Sequence, residues 1–198
     1  MITIRAYKSD DLESVRDVCH KTAHTKTYQK NKNLVTTMYL DYYAIEEPEY
    51  VFVAVDETDT PIGYVLCSVD YDKFHKVFIE KYASKIKKRF PIDYYNKKSF
   101  EPKVLKKHLP QYPAHLHIDI LDGYQGQGIG RKLLEALFNK LKEDNIPGVC
   151  LIAATNNKNA CGFYEHMGFQ KIGGIFSVGV IYGYLIKNTW HQFYIDLI

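Results

Sequence analysis

Three glycines alternate in the second half of the chain, at Gly126, Gly128 and Gly130. They lie between a predicted strand and a predicted helix. Glycine lets the backbone turn sharply and approach a ligand closely. The free amide groups at the start of the following helix favour a phosphate, and Arg131 and Lys132 add positive charge there. The spacing predicts a site for an anionic ligand, and the alternative is a glycine-rich turn without a ligand.

Two common phosphate-binding loops do not fit this segment. The dinucleotide-binding fingerprint GxGxxG needs a third glycine where this chain has Arg131. The P-loop needs GxxxxGK followed by Ser or Thr, and the sequence contains no such run. The ligand is therefore expected to differ from those of both classes.

Polar side chains alternate with apolar ones along a predicted strand at 114–121. A strand covered by helices on both faces is not expected to carry three polar groups on one side without a use. We expect this side to open on a cleft, where His117 takes a proton directly or through water. Asp119 then orients His117 or acts as the base itself. The alternative is a structural or substrate-contacting role. The polar residues are His115, His117 and Asp119, and the apolar ones are Leu116, Ile118 and Ile120.

The elements that position these residues follow a mixed order. Antiparallel strands come first, then a strand–loop–helix–strand unit, then further strands. This order predicts the α/β class, mixed and α+β-like, with a central, mostly antiparallel sheet of six to seven strands and helices on both faces. Strands are predicted at 2–7, 50–55, 62–69, 114–121, 149–154, 169–175 and 177–186, and helices near 12–19, 34–45, 76–90, 129–143 and 157–167.

The length of 198 residues suits one domain spanning 1–198. Within it, segment 71–112 is a predicted polar insertion, rich in tyrosine, with twelve Lys or Arg and four Asp or Glu. It is either a solvated lid or a cover for a bound substrate or cofactor. Tyrosine with lysine also suits single-stranded nucleic acid. Because no RNA-binding motif accompanies these residues and the net charge is only +3, we expect no nucleic-acid partner.

The cysteines and the termini carry little functional signal. The cysteines are scattered without a CxxC pair, which predicts reduced, mostly buried thiols and no metal site. No apolar run reaches the roughly 20 residues that span a bilayer, and the N-terminus lacks a signal-peptide pattern. The sequence therefore predicts a cytoplasmic protein without a membrane partner. The cysteines are Cys19, Cys67, Cys150 and Cys161.

Two motifs carry a resemblance to a known family. Gln125-x-x-Gly128-x-Gly130 resembles the Gln/Arg-x-x-Gly-x-Gly/Ala signature of the GCN5-related N-acetyltransferase (GNAT) superfamily. One predicted helix and one strand later, a second segment is similar to the family's later motif. The resemblance covers the whole chain in element order, and its distinctive residues lie within 116–170. The second segment is Asn157-x-x-Ala160-x-x-x-Tyr164-x-x-x-Gly168-Phe169.

The resemblance implies a GNAT fold and an acyl-CoA-dependent N-acetyltransferase. Acetyl-CoA is the implied co-substrate, without a metal, and the acetyl group passes directly to a primary amine. Tyr164 is the implied general acid, because a tyrosine hydroxyl with a pKa of about 10 suits protonation of a thiolate. The alternative is a core tyrosine beside Phe163. The implied cofactor-binding residues are Ile118, Asp119 and Ile120 in the strand, Gln125, Gly126, Gln127, Gly128, Ile129, Gly130 and Arg131 in the loop, and Asn157, Ala160 and Tyr164.

A narrower resemblance involves the strand at 115–120. It is similar to the corresponding strand of acetyltransferase-like domains joined to O-GlcNAc hydrolases and of their stand-alone bacterial relatives. Since some of those domains are thought not to catalyse, the second hypothesis is a non-catalytic coenzyme A-binding or interaction module. The acceptor stays open between a small-molecule and a peptide amine. The aromatic C-terminal end, including Trp190, is compatible with a monomer or a homodimer.

Overall fold

The computed structural model describes residues 1–23, 29–87, 104–175 and 178–186. Its strands are β1 (Thr3–Ala6), β2 (Val51–Val55), β3 (Pro61–Ser68), β4 (Ala114–Ile120), β5 (Gly148–Ala154), β6 (Gln170–Ile175) and β7 (Gly179–Leu185). Its α-helices are α1 (Leu12–Lys21), α2 (Lys32–Tyr39), α3 (Asp41–Glu46), α4 (Tyr71–Val77), α5 (Ala83–Lys87), α6 (Ile129–Glu143) and α7 (Lys158–His166). A π-helical segment, Phe78–Tyr82, joins α4 to α5.

The strands form one seven-stranded sheet in the order β1-β2-β3-β4-β5-β7-β6. β4 and β5 are parallel, whereas the other neighbouring pairs are antiparallel. A parallel pair needs a crossover connection, and α6 supplies it between β4 and β5. The predicted class, a mixed and mostly antiparallel sheet with helices on both faces, is confirmed.

Two hydrophobic cores lie on opposite faces of this sheet. On one face, helices α1 to α5 cover strand residues such as Val53 and Leu66, and we call this the α1 face. On the other, α6 and α7 cover residues such as Leu116 and Leu151, and we call this the α6 face. Because side chains alternate along a strand, the polar residues of β4 lie on the α1 face, opposite Leu116.

Helix α6 agrees with its predicted bounds. Its inward residues recur at helical spacing, and Leu133, Leu137 and Leu141 are fully buried. The helix ends where Asn145 adopts a positive φ of 57°, before Pro147. Local periodicity and a local stop signal therefore set this element.

The predicted insertion begins as part of the core. Helix α4 starts at Tyr71, earlier than the predicted start at Lys76, because the Asp70 carboxylate caps it by accepting the Lys73 amide at 2.9 Å. Buried aromatic side chains anchor the segment to the α1 face, namely Tyr71, Phe74, Phe78 and Tyr82. The part of the insertion at 88–103 and the C-terminal residues 187–198, with Trp190, lie outside the described residues.

The four cysteines are free thiols, and three of them are buried. Burial raises the pKa of Cys150 to about 12, so that thiol stays protonated. Among the described residues no group of His, Cys, Asp and Glu side chains is arranged to hold a metal ion. None of the helices in the described ranges has both the length and the apolar character that a membrane span requires.

Candidate functional site

The two parallel strands separate soon after they meet. The β4–β5 ladder joins Ala114 to Val149 and His115 to Cys150, although β4 continues for five more residues and β5 for four. β4 stays paired with β3 as far as Ile120, and β5 stays paired with β7 as far as Ala154. A wedge-shaped gap therefore opens between the carboxyl ends of β4 and β5.

The edge of β4 that borders this gap presents backbone groups. The Leu121 amide bonds the Ile62 carbonyl at 2.9 Å, so Leu121 is paired toward β3. Backbone N–H and C=O groups alternate in direction along a strand. Those of Ile118 and Ile120 therefore point away from β3, toward the gap. The family resemblance implies Ile118, Asp119 and Ile120 as cofactor-binding residues. The alternation directs the backbone of the two isoleucines toward the gap and that of Asp119 toward β3.

The loop after β4 displays a row of unpaired amides. In the part of the chain that the structure describes, the amides of residues 125–131 donate no hydrogen bond, and the first helical bond of α6 runs from the Lys132 amide to the Gly128 carbonyl. Gly126 and Gly128 have φ values of 75° and 76°, a left-handed backbone that glycine adopts without strain. Amides that point out of a loop and a helix N-terminus in this way are suited to binding an anion.

Glutamine side chains brace this loop from within. The side-chain Nε2 atom of Gln125 donates to the Ile120 carbonyl at 3.0 Å and to the Asp122 carboxylate at 3.3 Å. The side-chain Nε2 atom of Gln127 donates to the Gly123 carbonyl at 2.9 Å. These bonds hold the loop against the end of β4, so Gln125 shapes the site through the loop backbone.

Gly130 lets α6 and α7 approach each other closely. A Cβ atom at this position would lie 2.9 Å from Cζ of the Phe163 ring and 3.6 Å from Cδ1 of Ile120. No side chain fits there unless Phe163 moves. Gly130 therefore couples the N-terminal end of α6 to the middle of α7.

Asn157 and Arg131 are also engaged within the protein. The Asn157 side-chain oxygen accepts the Ala160 amide at 3.1 Å and caps α7. Arg131 lies 2.9 Å from the Nε2 atom of His166, which ties the start of α6 to the end of α7. Both residues therefore fix the two helices that border the gap.

Tyr164 is buried on the α6 face. Its ring lies among those of Phe163, Phe169 and Tyr182, with centroids 5.5 to 5.8 Å away. Burial raises the pKa of Tyr164 well above the usual value, and the negative charge of Asp119 raises it further. The hydroxyl therefore stays protonated and lies within the electrostatic range of Asp119, which projects from the other face.

Asp119 is held by a tyrosine that the sequence analysis did not identify. The Tyr64 hydroxyl donates to Oδ2 of Asp119 at 2.6 Å, and the two residues are register partners across β3 and β4. Tyr64 is fully buried. The one signal in the sequence is a tyrosine inside an otherwise apolar strand, since a buried hydroxyl usually has a hydrogen-bond partner.

The two histidines of β4 lie in different surroundings. His115 is buried, and its Nε2 atom lies 2.8 Å from the Tyr43 hydroxyl, with the Phe74 ring 4.5 Å away between centroids. His117 is half-buried, and its ring contacts the edges of Tyr39 and Tyr43 at 5.6 and 5.4 Å. His115 is therefore part of the aromatic core, whereas His117 lies nearer the open end of β4.

The arrangement combines three properties. Among the described residues, the amides at 125–131 that donate no hydrogen bond suit a phosphate, the edge of β4 beside the gap suits an extended amide-containing chain, and Tyr164 and Asp119 interact electrostatically. A proton donor and a proton acceptor on either side of a bound chain suit a group transfer that moves one proton at each end.

The family to which such a site belongs follows from comparison with known proteins. A model described as "Acetyltransferase (GNAT) domain" matches residues 104–171, which include β4, the loop, α6, β5 and α7. Over these residues the chain matches the GCN5-related N-acetyltransferase superfamily.

Solved structures share this fold over nearly the whole chain. SsHAT is 27% identical with a TM-score of 0.81, over 94% of this chain and 99% of that one. The ribosomal-protein-S18-alanine N-acetyltransferase from Escherichia coli is 17% identical with a TM-score of 0.56, over 96% of both chains. The NatC complex bound to Gag peptide and CoA is 15% identical with a TM-score of 0.57, over 95% of this chain and 99% of that one.

Proposed function

We propose that this protein is an N-acetyltransferase that takes the acetyl group from acetyl-CoA and passes it directly to a primary amine. One observation carries the proposal, namely the seven consecutive unpaired amides at 125–131 beside the free edge of β4. The first feature suits the pyrophosphate of coenzyme A, and the second suits the two amide groups of pantetheine. The match of residues 104–171 to the acetyltransferase domain model supports the same assignment.

Different residues would hold different parts of acetyl-CoA. The loop backbone and the N-terminus of α6 would bind the pyrophosphate, with Arg131 adding positive charge. The backbone groups of Ile118 and the amide of Ile120 would bind pantetheine in the gap, whereas the Ile120 carbonyl already accepts from the Gln125 side chain. Asn157 and Ala160 would line the opposite wall from the start of α7. When bound, acetyl-CoA supplies an activated acetyl thioester.

Protons then move at two points. Asp119 or His117 accepts a proton from the acceptor ammonium, which frees the nitrogen to form a bond to the acetyl carbon. Once the new bond has formed, the nitrogen carries a second surplus proton, which it releases to solvent. As the carbon–sulfur bond breaks, Tyr164 donates its hydroxyl proton to the leaving sulfur and then regains a proton from solvent. The raised pKa of Tyr164 keeps that proton available throughout the physiological pH range.

The acceptor side of the site lies on the α1 face. Tyr39 and His117 are half-buried there, and Asp119 supplies a negative charge. Aromatic rings and a carboxylate favour a cationic amine. The structural neighbours named for peptide or protein substrates make peptide amines a sensible part of an acceptor screen, beside small amines.

The test combines binding with turnover. Acetyl-CoA affinity is measured by calorimetry, and thiol release is followed with glucosamine, spermidine, a lysine-containing peptide and a peptide with a free N-terminus. We expect saturable binding, and thiol release that at least one amine accelerates above hydrolysis, with the acetylated product identified by mass spectrometry. Absence of acetyl-CoA binding overturns the proposal.

Tight binding without transfer to any amine favours the non-catalytic module instead. The internal hydrogen bonds of Gln125 and Asn157 are compatible with that alternative, because they preserve the shape of the cofactor site without taking part in a reaction. The narrower resemblance to the acetyltransferase-like domains joined to O-GlcNAc hydrolases stays a prediction.

A further inference from the structure

Tyr64 is placed to control Asp119. It lies in β3 directly opposite Asp119 in register, fully buried, with its hydroxyl 2.6 Å from Oδ2. A hydrogen bond from a hydroxyl to a carboxylate is short and about twice as strong as one between neutral groups. Since both residues lie on strands of the same sheet, this contact fixes the carboxylate relative to the sheet.

The groups that face Asp119 come from several elements. From α1, the Cys19 thiol lies beside the Tyr64 hydroxyl, and burial raises the pKa of Cys19 to about 12, with a further contribution from the charge of Asp119. From α7, Tyr164 lies within electrostatic range, and from β4 itself His117 lies two residues away. Cys19, Tyr64 and Tyr164 are neutral at physiological pH, whereas Asp119 is a carboxylate in contact with Tyr64, and the carboxylate of Asp41 also acts on Cys19.

We propose that Tyr64 is a positioning residue that keeps Asp119 ionised and oriented toward the acceptor amine. This inference rests on the proposed acetyltransferase function. An ionised carboxylate attracts an ammonium and can accept its proton, whereas a neutral carboxyl can do neither. The Tyr64 hydroxyl stabilises the ionised form, and its removal favours the protonated form.

The chain offers a matched control for this contact. The Tyr50 hydroxyl donates to Oδ2 of Asp144 at 2.7 Å, which is the same pairing at the far end of α6. Tyr50 is 9% exposed. Tyr50→Phe therefore removes a similar tyrosine–aspartate hydrogen bond without touching the gap between β4 and β5.

The test compares how kcat/KM depends on pH in wild type, Tyr64→Phe and Tyr50→Phe, with the best amine of the acceptor screen. In Tyr64→Phe we expect the acid limb to move to higher pH by about one unit, because the hydrogen bond to the carboxylate is lost. We expect Tyr50→Phe to keep the wild-type acid limb. Loss of folding is checked by circular dichroism.

A second measurement follows Asp119 without relying on turnover. Carboxyl carbons are labelled in all aspartates, and the Asp119 signal is assigned from its loss in Asp119→Asn. Its titration midpoint should rise in Tyr64→Phe and stay unchanged in Tyr50→Phe. Equal midpoints in all three proteins, or an active Tyr64→Phe enzyme whose acid limb has not moved, overturn only the role of Tyr64. Failure of the wild type to acetylate any amine overturns the proposed function as well.

Discussion

Tyr164 and Asp119 approach the gap from opposite faces of the sheet. Side chains on opposite faces of a continuous sheet are screened from each other by the backbone. The charge of Asp119 nevertheless contributes to the raised pKa of Tyr164, so the two groups interact electrostatically across the sheet.

The Tyr164 hydroxyl is expected to matter for the chemical step alone. In Tyr164→Phe the ring contacts with Phe169 and Tyr182 are retained, so folding and acetyl-CoA affinity should stay close to wild type. Loss of the proton donor should lower kcat by about 100-fold or more. Thiol release measures kcat, and calorimetry measures the affinity for acetyl-CoA. Unchanged kcat in the variant removes Tyr164 from the mechanism and makes it a core tyrosine.

The left-handed backbone of Gly128 predicts a second effect at the residue scale. A Cβ at Gly128 meets no atom within 4 Å, so the cost of Gly128→Ala is conformational. We expect a loss of about 1–2 kcal/mol in stability and weaker acetyl-CoA binding, since the loop amides lose their alignment.

Gly162→Ala is the matched control for stability. Gly162 lies within α7, its Cβ position is also unobstructed, and its φ is not in the left-handed region. An alanine there should stabilise the protein by about 0.5–1 kcal/mol. Urea unfolding of both variants measures the difference. Equal effects of the two substitutions contradict the assigned role of the Gly128 backbone.

The contact between α6 and α7 has consequences at the element scale. Gly130→Ala forces the Phe163 ring to move, because the new methyl group would lie 2.9 Å from its Cζ atom. We expect a destabilisation of about 1–3 kcal/mol. Phe163→Leu removes that part of the ring, so the double variant should lose less than the sum of the single losses. Additive losses in urea unfolding show that the two helices do not press on each other here.

Elements set by local signals were predictable, and elements set by tertiary contacts were less so. The bounds of α6 follow from its own periodicity and its stop at 145–148, and both are visible in the sequence. The start of α4 depends on the Asp70 cap, and the prediction placed it five residues late. The pairing of Tyr64 with Asp119 depends on strand register across 55 residues, which local patterns do not encode.

The same distinction applies to the candidate site. Its location follows from the glycine spacing and the Asn157–Tyr164 motif, because backbone conformation near glycine is local. The internal bonds of the Gln125 and Asn157 side chains depend on how the loop folds back on β4 and how α7 is capped. The family resemblance assigned these residues to the cofactor, and that assignment stays a prediction. The structure adds that their side chains also form hydrogen bonds within the protein.

At the scale of the whole molecule, an ionic cluster holds the N-terminal edge of the sheet. Arg5 on β1 forms a two-pronged ion pair with Asp11 at 2.7 and 2.8 Å and also bonds Asp59 in the β2–β3 turn. The Lys8 amide donates to Asp11 as well. This cluster connects β1, the start of α1 and the β2–β3 hairpin.

The cluster predicts how stability depends on pH. Burial raises the pKa of Asp11, but the hydrogen bonds from Arg5 and the Lys8 amide outweigh it, so the folded-state pKa is lowered. The stabilisation is therefore present above the unfolded pKa of about 3.9 and is lost as pH falls below it. Asp11→Asn should cost about 2–3 kcal/mol at neutral pH and much less in acid.

Urea unfolding at pH 7 and at pH 3 measures this dependence. Asp10→Asn is the control, because Asp10 is an exposed carboxylate next to Asp11 in the chain. We expect Asp10→Asn to behave like the wild type at both pH values. A constant difference between Asp11→Asn and wild type from pH 7 to pH 3 is inconsistent with an ionic origin.

The central claim is that acetyl-CoA lies in the gap between β4 and β5 and is held mainly by backbone groups. Amide hydrogen exchange, followed residue by residue by NMR, tests it directly in the full chain. With saturating acetyl-CoA we predict slower exchange and shifted signals at Ile118, Ile120 and 126–131, and unchanged exchange in β2. Binding that leaves those amides unaffected, or that protects a different surface, contradicts the account.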